Sequence, residues 1–180
     1  PHASAEVAAA RVAEGFSALK FDPAGQYTVY DGRMPDLEAI AQSVAFCREI
    51  RAAVGDRADM LFGTHGQFTA AGALRMARQL EPFDPLWFEE PCPPDMPEEM
   101  AKVAAGTSIP VATGERLCSK FEFARVLDLG AAAILQPDLG RAGGILEGKK
   151  IAAMAETRYV QVAPHLYCGP VAAAANIQLA

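Results

Sequence analysis

WFEEP at 87–91, VATGER at 111–116, QPD at 136–138 and APH at 163–165 share one form, an apolar run whose last residues include an acid or a histidine. Glu89, Glu115, Asp138 and His165 follow one another at intervals of 26, 23 and 27 residues. That interval is the length of one strand, one helix and their two connections. A (β/α) barrel repeats at this length and collects its functional side chains at the C-terminal ends of its strands. The four runs therefore predict a parallel α/β sheet with its chemistry on one face.

Working outward, short and nearly all-apolar strands are expected at 18–22, 60–64, 86–89, 111–114, 133–136 and 159–163. Strands covered by helices on both faces lack strict polar alternation, and these do. Between them lie helical patterns. Asp36 is placed to cap a helix whose Leu37, Ile40, Val44, Cys47 and Ile50 recur at helical spacing and should face the sheet, with Gly55 ending it. Further helices fit 5–14, 69–80, 97–105, 119–129 closed by Gly130, and 144–157. The stretch 23–35 is rich in Gly, Pro and Asp without apolar period, and reads as a loop.

Six strands fall short of a closed barrel, which has eight strands and typically about 250 residues. The chain opens inside a helix and reaches Ala180 just after a seventh strand-like element. Residues 1–180 are thus expected to be the central part of a single barrel domain, with strands missing at both ends.

Composition narrows the partners. A net charge of −6 disfavours nucleic acid, whose phosphates call for a concentrated basic surface. No apolar stretch is long enough to span a bilayer, and a cytoplasmic location is expected. Cys47, Cys92, Cys118 and Cys168 form no CxxC pair and are expected as reduced thiols. A soft-metal site using Cys92, Cys118 and Cys168 is a weaker alternative.

The same runs, and the stretch GERLCSKFEFARVLDLGAAAILQPDLGRAGGILEGKKIAAMAE at 114–156, resemble the enolase superfamily. The likeness is to its mandelate racemase/muconate lactonizing enzyme branch, and within it to galactonate-dehydratase-like enzymes. The resemblance implies a modified (β/α)7β barrel preceded by a capping domain. It implies Mg²⁺ held by carboxylates at successive strand ends, here Glu89 and Glu115, and a base built from His165 and Asp138. Where such enzymes carry Asp-x-His, with the Asp on the metal and the His as general acid, this chain has Gly63-Thr64-His65. His65 matches. Gly63 has no side chain to bind anything, which leaves three outcomes open: weaker Mg²⁺ binding, His65 as a replacement ligand, or loss of the metal chemistry.

Proton removal α to a carboxylate makes an enediolate, whose second negative charge requires a cation nearby. Histidine suits the base role near neutrality, and a carboxylate on its other ring nitrogen fixes the tautomer. Lys20 and Asp22 stand where racemase-type relatives carry Lys-x-Lys, so the second lysine base is absent. Lys20 is expected either to meet the substrate carboxylate or to pair with an acid such as Asp22. Lys20, Asp22 and Arg116 are candidate substrate contacts, and Arg116 or Arg141 could hold a distal carboxylate or simply pair with surface acids. The resemblance implies a hydro-lyase for an aldonate-like acid sugar, giving a 2-keto-3-deoxy acid. Epimerisation or lactone cycloisomerisation is the alternative within the superfamily, and sugar-acid binding without turnover the alternative outside catalysis. No nucleic acid or membrane partner is expected, and a homo-oligomer is compatible with the resemblance.

Overall fold

The computed structural model describes residues 2–25 and 32–180, and in it the chain divides into two compact units. The loop expected at 23–35 lies partly outside the described residues. The first unit comprises Pro1–Pro93 and Gly106–Ile109, the second Pro94–Ala105 and Pro110–Ala180.

In the first unit the elements run α1 (His2–Ala13), β1 (Ala18–Phe21), α2 (Leu37–Val54), β2 (Asp59–Gly63), α3 (Ala70–Leu80) and β3 (Trp87–Glu89). The strands pair in parallel, β1 with β2 and β2 with β3, and the register sets Phe21 beside Phe62 and Gly63 beside Glu89. Asp36 caps α2 by accepting from Ala39 N at 2.8 Å, and Thr69 caps α3 by accepting from Gly72 N. The buried stripe of α2 is Ile40, Ser43, Cys47, Ile50 and Val54. Leu37 does not join it, at 75% exposed, because the first helical residue lies ahead of the turn that meets the sheet. Phe62, Phe68, Phe88, Met60, Met76 and Leu80 form the core, and Phe62 meets the edge of Phe21.

The second unit holds α4 (Pro97–Gly106, its last residue assigned to the first unit), β4 (Val111–Thr113), α5 (Lys120–Asp128), β5 (Ile134–Leu135), α6 (Leu139–Ala142), α7 (Gly144–Glu156), β6 (Gln161–Val162) and α8 (Pro170–Leu179). Strand β4 pairs in parallel with β5, and β5 with β6. Ser119 and Glu122 form a capping box at the start of α5. Gly114 ends β4 at φ 140°, and a Cβ there would meet the Phe123 ring at 2.8 Å and Gln136 N at 2.9 Å. Only glycine lets the chain turn there so close to its neighbours, just before Glu115. The stretch before Ala180 corrects the expectation of a strand. It is helix α8, started by Pro170 at the first helical position. No described helix is long and apolar enough to cross a membrane.

Candidate active site

In the second unit, Asp138 is the hub. It follows β5, is 1% exposed, and divides its carboxylate between two tasks. Oδ1 accepts from Gly140 N at 2.8 Å, capping α6. Oδ2 meets His165 Nδ1 at 2.9 Å and accepts from Cys168 Sγ at 3.0 Å. Burial by itself would raise the Asp138 carboxyl. The hydrogen bonds from Cys168, His165 and Gly140 outweigh it and hold the group below its ordinary value. Asp138 is therefore ionised, and the same bond holds the Cys168 thiol above its usual range, protonated and donating.

An ionised Asp138 places the imidazole hydrogen on Nδ1 and leaves Nε2 as the basic nitrogen. Nε2 lies 3.4 Å from Glu115 Oε2. The backbone of His165 is fixed from both sides: its N donates to Pro137 O at 3.1 Å, and its O accepts from Asn176 Nδ2 at 2.9 Å. Glu115, Asp138 and His165 are thus brought together, with Cys168 as an unforeseen fourth member. Asp138, His165 and Cys168 also present ligand atoms within 4.8 Å of one another. Arg116 is half-buried beside Glu115, and Arg141 is exposed.

In the first unit, Glu89 ends β3, and its side chain is 2% exposed. Lys20 reaches across from β1 and its ammonium pairs with Glu89 Oε1. The lysine's partner is therefore Glu89, not Asp22. Asp22 accepts from Ala24 N at 2.8 Å and from Gln67 Nε2 at 3.1 Å, while Gln67 Oε1 accepts from Arg33 Nη2 at 2.7 Å. Burial pushes the Asp22 carboxyl up to about 6, against the opposing pull of those hydrogen bonds and of Arg33.

His65 follows β2 in the left-handed region, at φ 53°, and Glu90 follows β3 at φ 40°. Non-glycine residues seldom adopt such angles. Hydrogen bonds hold them there: Thr64 N donates to Glu89 O, Thr64 Oγ1 donates to Glu89 O and Glu90 O at 3.0 Å each, and Gly66 N donates to Glu90 O at 2.7 Å. The turn bearing His65 is stapled to the end of β3.

Parallel strands in chain order alternating with helices, and acids and histidines at successive strand ends, define the class. The model of the family "Enolase C-terminal domain-like" matches residues 3–180, and the chain belongs to that family. It is an α/β chain holding part of a TIM-type barrel.

The more particular likeness is to sugar-acid enzymes. The chain is 43% identical over 167 residues to a D-galactonate dehydratase of Ralstonia nicotianae, covering 93% of this chain and 43% of that protein. It is 49% identical over 141 residues to a D-galactonate dehydratase of Variovorax paradoxus, covering 78% of this chain and 37% of that one. Among solved structures, a mandelate racemase/muconate lactonizing enzyme-like protein from Roseovarius sp. TM1035 superposes with a TM-score of 0.94 at 64% identity, over 97% of this chain and 44% of that one. The chain spans less than half the length of the relatives it matches.

Membership of this family generally implies Mg²⁺ dependence. The donors in the first unit do not fit that ion. A hard divalent cation takes oxygen ligands and is held through carboxylates. Here position 63 offers no side chain, and the carboxylate next to it in register, Glu89, is already paired with an ammonium.

Proposed function

We propose that the protein to which these residues belong is an acid-sugar dehydratase acting on an aldonate-like substrate. His165 is the base. Its Nε2 takes the proton from C2, the electron pair passes into the substrate carboxylate as an enediolate, and Asp138 keeps the hydrogen on Nδ1 so that Nε2 is the nitrogen that receives it. The enediolate then expels the C3 hydroxyl, which leaves as water with a proton from His65. The resulting enol ketonises to a 2-keto-3-deoxy acid.

The single observation that supports this reading best is the His165 to Asp138 bond of 2.9 Å to a buried, ionised carboxylate. The D-galactonate dehydratases among the relatives supply the substrate class. The test uses the full-length protein with a panel of aldonates and a carbonyl reagent that reports 2-keto product. His165→Asn is expected to lower turnover by roughly 10²–10⁴-fold. Full turnover in that variant, or no 2-keto product from any aldonate, would refute the reading. Gly63 and the Lys20 to Glu89 pair favour one second reading, binding of a sugar acid without turnover. Ligand binding by an inactive full-length protein would select it.

A further inference from the structure

We propose that at the end of β3 the protein supplies its own positive charge, the Lys20 ammonium, in the place where the family resemblance puts a divalent cation, so that Glu89 is a lysine site and not a metal site. The substrate side of this inference rests on the dehydratase reading. The charge side does not.

Lys20 is on β1 and Glu89 on β3, with β2 between them. Neighbouring strands lie about 4.8 Å apart, so the lysine must pass over β2 to reach the carboxylate. It passes over position 63. A Cβ built on Gly63 would lie 2.8 Å from Lys20 Cε, 3.7 Å from Lys20 Nζ and 3.6 Å from Glu89 Oε1. The first distance is shorter than real carbon contacts allow, so with a side chain at 63 the flexible end of the lysine would have to shift. Glycine here does two things at once. It withholds the carboxylate that would be the first metal ligand, and it opens the path for the ammonium.

The Lys20 ammonium offsets the charge of one carboxylate, Glu89. Glu89, almost wholly buried, requires such a neighbour in its ionised form. Asp22 does not compete for Lys20, being engaged by Gln67 and by Ala24 N. The lysine side chain keeps 41% of its surface exposed while it holds Glu89. A fixed ammonium of this kind stabilises negative charge developing on an acid's carboxylate.

The experiment titrates the chelator-treated full-length protein with Mn²⁺ alone, followed by the electron paramagnetic resonance of the free ion. The expected result is no saturable site that depends on Glu89: the free-ion signal falls equally, or not at all, in wild type and Glu89→Gln. One saturable equivalent in wild type that Glu89→Gln abolishes would overturn the proposal. A second arm measures turnover in the presence of chelator. Wild type is expected to keep its rate, and Lys20→Met to lose roughly 10²-fold or more, with no recovery on adding Mg²⁺. Recovery of Lys20→Met with Mg²⁺, or collapse of wild-type turnover in chelator, would overturn it. If no aldonate is turned over under any condition, the dehydratase reading fails, and the Mn²⁺ titration still decides the lysine site.

Discussion

Neutralising Asp22 should remove a pH-dependent burden from the fold. Its carboxyl is pushed by burial from 3.8 up to about 6. A carboxyl whose value is raised on folding adds its full stability below the unfolded value, and that contribution is lost as pH climbs through the folded one. The window is therefore about pH 4 to 6. At about 1.4 kcal/mol per pH unit, ionised Asp22 costs the fold about 3 kcal/mol once both states are charged. The hydrogen bonds from Ala24 N and Gln67 already moderate that figure, since without them the carboxyl would lie higher still.

Asp22→Asn keeps an acceptor for Ala24 N and cannot ionise. The assay is the urea midpoint of the full-length protein at steps from about pH 4 to 7.5, wild type against variant. Other shared titrations cancel in the difference. Wild type should lose about 2–3 kcal/mol relative to Asp22→Asn across that range, with the steep part below about pH 6. Parallel curves would refute the reasoning, and so would a gap that opens in the opposite direction. A gap confined to pH above 7 would assign the effect to another group.

Asp138→Asn should separate positioning from folding. The amide can still accept from Gly140 N, but it would turn an N–H toward His165 Nδ1 and force the ring hydrogen onto Nε2. Turnover should fall roughly 10²–10⁴-fold with little change in KM or circular dichroism, measured in the full-length protein. Arg51→Ala should cost about 2–3 kcal/mol in urea unfolding, because the guanidinium donates to Gly55 O, Ala58 O and Phe83 O at 2.9–3.0 Å. Arg51→Lys should recover less than half of that, since a single ammonium cannot reproduce the fork.

Much of the architecture was legible because it is local. Apolar runs of strand length appear where β1 to β6 form, each within two residues of the expected ends. Asp36, Thr69, Ser119 and Gly55 mark helix ends because a cap is a bond between near neighbours in sequence. The stretch 170–179 has too little contrast between its faces to give a clear period, so spacing does not announce its helix. Asn176 then holds His165 from a helix that the pattern did not announce.

The sequence by itself determined the repeat of strand and helix, the acids and histidines at strand ends, and the missing side chain at 63. The pattern is written in spacing, and backbone period translates spacing into position directly. Only the tertiary structure decided who meets whom. In sequence, Asp22 is two residues from Lys20 and Glu89 is 69 residues away, yet parallel register sets Glu89 beside Gly63 and the lysine reaches it over that bare glycine. Cys168 joins Asp138 for the same kind of reason, through the path of the chain after β6. Contacts of this kind depend on register and on the space a neighbour leaves open, and neither is a property of any one segment.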